Sequence, residues 1–414
     1  MTFSSLGLIE PLQRSMAELG HHTPTAVQAL AITPILAGRD VLVTAPTGSG
    51  KTACFVLPIT QRLDADGAAR KANSIRALIL VPTRELAQQV LESLQSHGKQ
   101  LSLRSMAVYG GVSINPQMQT LRPGIDILVA TPGRLLDLLA RNALSLAALS
   151  ILVLDEADRM LDLGFAAEWR EISAQLPAER QNLLFSATFP APAQALAEQL
   201  LRDPLRIAIA PRDDSLTPDI QQRAIAVDHP RRTQLLCHLL QQQQWPRVLV
   251  FVESKHRADM LANKLEKAGI QARAFHAEHS QGARNRALAA FKASKVQVLI
   301  ATDIAARGLD IEQLPVVVNY DLPRSAVDYT HRIGRTGRAG ASGIAISFIC
   351  ADNEAHFRLI EKRQQLRLER EQIAGFEPTA KATPVSDPHG GAKGKRMSKK
   401  DKLRAAASHE EKDN

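Results

Sequence analysis

Three short runs hold residue types that could do phosphate chemistry. Residues 45–52 read APTGSGKT. Gly48 and Gly50 let backbone N–H groups turn inward around phosphate oxygens, at a helix start whose dipole favours negative charge. Lys51 would reach the β- and γ-phosphates, and the Thr52 hydroxyl would ligate Mg²⁺. Pro46, Thr47 and Ser49 complete the cradle, and Ala45 stands where the strict pattern starts with glycine. A bare Gly-x-Gly-Lys-Thr also occurs as a flexible loop, but an apolar run before it and a helical stretch after it favour the phosphate reading. Asp155-Glu156-Ala157-Asp158 follows Ile151–Leu154. Carboxylates at the end of a buried strand face whatever the sheet binds. Asp155 would hold Mg²⁺, and Glu156 would orient and deprotonate a water. Residues 331–338 read HRIGRTGR, where His331, Arg335 and Arg338, spaced by four and three, share one helical face. Arginines supplied from outside a phosphate loop suit the transition-state charge of phosphoryl transfer, a role worth about 10³–10⁵ in rate. The alternative for this run is a surface patch that binds nucleic acid or nothing.

The elements that must position these groups are visible in the apolar pattern. Short Val/Ile/Leu runs fall at 41–44, 77–81, 126–130, 150–154 and 182–186, then at 247–252, 297–301, 316–319 and 343–348. Near-continuous apolar strands alternating with helical stretches predict an α/β fold with parallel sheets covered on both faces. Two series predict two domains, residues 1–209 and 219–375, joined by a polar linker at 210–218. After 375 the pattern is lost. Residues 392–404 carry seven basic side chains and one acidic, so 376–414 reads as a disordered basic tail. Ile127-Leu-Val-Ala-Thr131 is echoed by Val298-Leu-Ile-Ala-Thr302, each followed by a loop with an arginine, Arg134 or Arg307. Ligands of doubly wound sheets sit beyond the carboxyl ends of the strands, so both loops are placed to meet one.

Composition narrows the class. The 414 residues suit two to three domains at about 150 each. With 45% hydrophobic and 22% charged residues, the chain is an ordinary globular one rather than a disordered one. No apolar run approaches the ~18–20 residues of a membrane helix, and no export signal is visible at the start. Three scattered cysteines, Cys54, Cys237 and Cys350, suggest a reducing compartment, and the chain reads as cytoplasmic. The net charge of +9 favours a polyanionic partner, the alternative being a solvated basic surface. Aromatics are only 4%, so a base-stacking platform is disfavoured and a backbone grip is the expected mode.

The series Gln28, APTGSGKT, PTREL at 82–86, Gly110-Gly111, TPGR at 131–134, DEAD, SAT at 186–188, ATDIAARGLD at 301–310 and HRIGRTGR resembles the DEAD-box ATP-dependent RNA helicases over roughly residues 1–350. The run from Ser280 to Phe291, with the short basic tail, is most similar to the bacterial RhlE-type subgroup. The resemblance implies two tandem RecA-like domains, with ATP and Mg²⁺ bound between them. It implies that Gln28 reads adenine, that Asp310 meets the ribose, and that Arg335 and Arg338 are arginine fingers. Ser186, Thr188 and His331 would couple the ATP site to RNA. Thr83, Arg84, Gly111, Thr131 and Arg134 in the first domain, with Gln281, Arg284 and Thr302 in the second, would hold the RNA backbone, where 2′-OH contacts tell RNA from DNA. The implied partners are RNA and ribosome-assembly or RNA-decay machinery, with no membrane and a monomer or weak dimer.

Two positions depart from the family. His21 stands where an aromatic usually stacks on adenine, which predicts weaker nucleotide binding or some pH dependence. His276-Ala-Glu278 replaces the usual His-Gly-Asp, and His276-x-x-His279 resembles a metal pair without a third ligand nearby in sequence. The expected function is RNA-stimulated ATP hydrolysis coupled to local unwinding of short duplexes. An ATP-gated RNA clamp fits every motif as well, and a DNA-directed motor is disfavoured only by the Gln28 and DEAD spellings.

Overall fold

The nine apolar runs all form strands, each within one residue of its expected bounds, in a computed structural model that describes residues 2–46, 48–209, 220–306, 311, 314–337 and 342–379. The first sheet contains β1 (Val41–Thr44), β2 (Ala77–Leu80), β3 (Ser105–Val108), β4 (Ile127–Ala130), β5 (Ile151–Leu154), β6 (Gln181–Ser186) and β7 (Leu205–Ala208). The second contains β8 (Ile220–Ala226), β9 (Val248–Phe251), β10 (Ala272–Phe275), β11 (Val298–Ala301), β12 (Val316–Asn319), β13 (Gly343–Ile349) and β14 (Arg370–Glu371). The strand orders are β3-β4-β2-β5-β6-β1-β7 and β10-β11-β9-β12-β13-β8-β14, and every pairing is parallel. The two orders are the same order, strand for strand, as tandem RecA-like domains require. The echoing runs occupy equivalent strands, β4 and β11, so the repeat seen in the sequence is a repeat in space.

Five strands lack an apolar run, and all five lie at or beside a sheet edge. β3 and β7 bound the first sheet, β10 and β14 the second, and β8 has only the two-residue β14 outside it. An edge strand is covered less completely. In β7, Arg206 and Ala208 are exposed while Ile207 is buried; in β10, Arg273 is exposed between buried neighbours. Such strands alternate, and alternation over four residues is a weak signal.

Helices cover both faces of each sheet, burying the apolar side chains of the strands beneath them. The helix Lys51–Asp66 shows how a site residue is fixed. Cys54, Phe55, Val56, Leu57 and Ile59 are all buried, and Phe55 meets Phe185 of β6 edge-on at 5.0 Å. Each such side chain contributes about 1.5–3 kcal/mol on burial, so the helix start carrying Lys51 is anchored to the sheet. The expected linker lies in 210–219, outside the described residues. The expected disordered tail begins too early. Phe376 packs on His238 and under the Arg231 guanidinium, and the Thr379 hydroxyl donates to Asp228 at 2.7 Å, because an aromatic ring and a hydroxyl here find partners on the second domain. Residues 380–414 lie outside the described residues. Among the described residues, no helix is long and apolar enough to cross a membrane.

Candidate functional site

The phosphate loop begins where β1 ends, with the Ala45 N–H donating to Ser186 O of β6 at 3.1 Å. Gly48 and Gly50 adopt φ of +77° and +93°, which L side chains rarely take. A Cβ on Gly50 would also lie 2.6 Å from Gln28 Nε2. Lys51 is buried, and its ammonium donates to the loop carbonyls of Ala45 at 2.5 Å and Pro46 at 2.9 Å. Burial lowers its pKa, opposed by the carboxylates of Asp155, Glu156 and Asp158. Ser49 Oγ is buried with no hydrogen-bond partner among the described residues, and Thr52 is half-buried in the first turn of the helix. A cation, an idle hydroxyl and left-handed glycines at a helix start are the donor set that a triphosphate needs. Thr47 lies outside the described residues.

Gln28 ties this loop to the helix Ala26–Leu36. Its Oε1 accepts from the Thr25 N–H at 2.9 Å, closing a capping box, and its Nε2 donates to Gly50 O at 3.3 Å. The Thr25 hydroxyl donates to Ser49 O at 2.8 Å. The amide thought to read adenine therefore also sets the loop's position. His21 lies exposed seven residues earlier.

β5 delivers the acidic segment. Asp155 is buried, and its backbone N–H donates to Leu80 O at 3.0 Å. Burial and the neighbouring Glu156 push its carboxyl up to about 7, while Lys51 pulls the other way. Glu156 sits at φ +51°, a left-handed conformation that costs a non-glycine residue about 1–2 kcal/mol and turns its carboxylate beside Arg159 at 3.2 Å. Asp158 accepts from the Thr188 N–H at 3.0 Å and hydroxyl at 2.6 Å. The Ser186 hydroxyl donates back to Thr188 O at 2.5 Å. Thr188 is thereby joined to the acidic segment directly, and Ser186 through it.

The second sheet reaches the same place. Arg159 from the first half lines one cleft with Asp328, His331 and Arg335 from the second. Burial first, then the charges of Arg159 and Arg335, lower the His331 pKa to about 4 against the pull of Asp158 and Asp328, so this imidazole is neutral at pH 7. Arg335 is buried. Arg332, which the sequence reading passed over, is the brace of this segment. Its guanidinium grips Asp303 through two bonds of 2.6 and 2.7 Å, donates to Asn319 Oδ1 and Asp321 O, and lies over the Phe251 ring. Arg338 and Asp310 lie outside the described residues.

The residues expected to hold RNA divide into two groups. Thr83 caps the helix Arg84–His97 by accepting from Leu86 N, Thr131 precedes the helix Pro132–Ala140, and Thr302 precedes Asp303–Ala306. The Arg84 guanidinium lies against Gly111, where a Cβ would overlap it at 2.2 Å. Arg134, Gln281 and Arg284 instead turn onto protein groups. Arg134 is 7% exposed and donates to Gln117 Oε1 at 2.9 Å and Val112 O at 2.8 Å. Gln281 Nε2 and Arg284 Nη2 both meet Glu85 Oε1 of the first half, at 3.2 and 2.9 Å. Glu85 sits inside PTREL, and its charge within a buried turn was the signal that the sequence held.

Comparison with known proteins agrees with this arrangement. Residues 25–196 match the family model described as DEAD/DEAH box helicase, and residues 231–340 match the helicase conserved C-terminal domain. The chain is 44% identical over 360 residues to the ATP-dependent RNA helicase SrmB of Escherichia coli, covering 87% of this chain and 80% of that one. It is 41% identical over 361 residues to the DEAD-box ATP-dependent RNA helicase 30 of Arabidopsis thaliana, again over 87% of this chain but only 61% of the length of that relative. The structure of Saccharomyces cerevisiae Dbp5 bound to RNA and ADP BeF3 aligns with a TM-score of 0.79 at 30% identity, over 90% of this chain and 95% of that one.

Proposed function

The chain belongs to the DEAD-box ATP-dependent RNA helicases, and from that premise we propose that it hydrolyses ATP in the cleft between its halves and uses the cycle to separate short RNA duplexes locally and to remodel ribonucleoprotein. One observation supports this most: His331 and Arg335 of the second half line the same cleft as Arg159, which is paired to Glu156 of the acidic segment. An ATP site divided in this way is completed only when the halves meet.

In this reading the loop N–H groups and Lys51 hold the β- and γ-phosphates, and Gln28 and Asp310 set the base and ribose. Thr52 and Asp155 are the residues that would hold Mg²⁺, which supplies neutralisation of phosphate charge when bound. Glu156 orients a water in line with the γ-phosphorus and takes its proton, while Arg335 and Arg338 stabilise the charge that develops. Thr188 on Asp158 transmits the state of the acidic segment to the RNA-facing loops. RNA is gripped by its backbone, so a unique target sequence is not encoded in the two domains. The reading extends to a cytoplasmic, monomeric or weakly dimeric enzyme acting with ribosome-assembly or RNA-decay machinery. The finer placement beside the RhlE-type subgroup rests on the run from Ser280 to Phe291.

Steady-state ATPase with and without single-stranded RNA, for wild type and Glu156→Gln, tests this. The expected result is strong RNA stimulation in wild type and a loss of about 10²–10⁴ in the variant. A rate that ignores RNA, or that survives the substitution, refutes the coupling or the site. Multiple-turnover strand displacement separates a helicase from an ATP-gated clamp, which stalls after one event.

A further inference from the structure

The second domain carries a cluster that the ATP and RNA chemistry does not use. Asp259 lies on the helix Lys255–Lys267, His276 follows β10, and His279 lies in the loop before the helix Gln281–Lys292. Histidines three apart lack a third ligand in the adjacent sequence; the fold supplies it from 17 residues upstream. Both imidazole Nε2 atoms converge on one carboxylate oxygen, Asp259 Oδ1, at 3.0 Å from His276 and 3.4 Å from His279. One ligand atom from each of the three residues lies within 4.8 Å of the other two. The two rings stack at 3.9 Å with a 40° tilt. His276 is only 2% exposed, Asp259 is its one polar side-chain partner among the described residues, and its Nδ1 has none. Among the described residues, this cluster therefore supplies the side-chain hydrogen bond that orients the ring.

We propose that Asp259, His276 and His279 form a binding site for a Zn²⁺-class divalent transition metal. Two imidazoles and one carboxylate are a ligand set that such ions favour and that Mg²⁺ and Ca²⁺ do not. Ligands about 2.0–2.2 Å from a tetrahedral ion lie about 3.4 Å from one another; the His279–Asp259 pair has that spacing and the His276–Asp259 pair, at 3.0 Å, lies just inside it. Side-chain adjustment of the half-buried His279 closes the third. A fourth position stays open to water. The consequence is mechanical. His279 precedes Ser280, whose hydroxyl caps the helix carrying Gln281 and Arg284, and these two residues reach Glu85 of the first half. A metal bound here fixes the loop that presents the contact between the halves.

The test uses the full chain without an added histidine tag, freed of metal by chelation and titrated with Zn²⁺ alone in the absence of nucleotide. His279→Ala and Asp259→Asn are the variants, because both side chains are partly exposed and neither belongs to the ATP machinery. The expected result is one tight equivalent in wild type, weakened by at least about tenfold in each variant, with bound Co²⁺ giving the strong visible absorption of a tetrahedral site in wild type alone. No binding at micromolar Zn²⁺, or an affinity unchanged in either variant, overturns the proposal. Because nucleotide and RNA are absent, failure here leaves the helicase reading untouched.

Discussion

Asp155 gives the sharpest quantitative prediction, because its burial makes it costly until something positive joins it. Its carboxyl is raised from 3.8 to about 7, by desolvation first and Glu156 second. Between those two values the folded chain keeps a proton that the unfolded chain has lost. Stability therefore falls as pH rises through this window, by about 1.4 kcal/mol per unit and about 4 kcal/mol in all, and is level above it. His331 runs the other way. Its pKa is lowered from 6.5 to about 4, so its contribution is complete above 6.5 and is lost as pH falls towards 4, by about 3 kcal/mol. The two slopes nearly cancel in wild type, and only a variant exposes them. Asp155→Asn removes the first, while Lys51 loses one of its three carboxylates and takes back part of the gain. The unfolding free energy of the variant minus that of wild type should rise by about 2–4 kcal/mol from pH 4.5 to 7 and then level off. Urea melts without nucleotide or Mg²⁺ read this directly, with Trp169 reporting the first half and Trp245 the second. A difference curve flat across this range, or a variant less stable than wild type at pH 7.5, refutes the reasoning.

Three further substitutions follow from the geometry. Gly50→Ala places a Cβ 2.6 Å from Gln28 Nε2 at φ +93°, so it should cost about 1–2 kcal/mol in thermal stability and weaken ATP binding measured with a fluorescent analogue. Thr188→Val removes the hydroxyl bond to Asp158, a bond to a charged acceptor worth about 1.5–3 kcal/mol; RNA-saturated ATPase should persist within a few fold while strand displacement falls by more than tenfold. Glu85→Gln leaves Arg284 buried without its carboxylate, a loss of about 3–5 kcal/mol in holding the halves together, and interdomain energy transfer in the nucleotide-free chain should drop; unchanged transfer would show the bridge to be idle.

The central strands and the phosphate chemistry were legible because both have local signatures. Four consecutive buried apolar residues mark β2, β4, β5, β9 and β11, and three valines mark β12; glycines with Lys51 and Thr52 mark a loop whose shape is set by backbone. Edge strands were not legible, since partial exposure lets Arg206 and Arg273 interrupt the run. Charged residues inside motifs were read as ligand-facing when some face protein. Arg332 and Arg335 differ by three positions and both line the cleft, yet the Arg332 guanidinium is spent on Asp303, Asn319 and the backbone. Arg284 and Arg134 likewise end on Glu85 and Gln117. Nothing in spacing distinguishes an arginine that meets a ligand from one that holds the loop meeting it. The distinction lies in which carboxylates the fold brings within reach, and those come from other strands.

The repeated sheet makes the division of labour clear. Near the end of β5 the acidic side chains lie with Lys51, and ionising Asp155 there costs stability until a ligand compensates it. Near the end of the equivalent β12 stands Asp321, whose carboxylate is already occupied by Arg232 at 2.8 Å and Arg257 at 2.6 Å. One half has kept its buried acid available and carries the phosphate loop; the other has neutralised its acid internally and lends Arg335 to the cleft. A single half therefore lacks part of this cleft, since the phosphate loop and Arg159 belong to the first half while His331 and Arg335 belong to the second. In the proposed cycle hydrolysis depends on how closely the halves approach, so anything that fixes that approach, the contact of Arg284 with Glu85 included, would act on the ATP site without touching it.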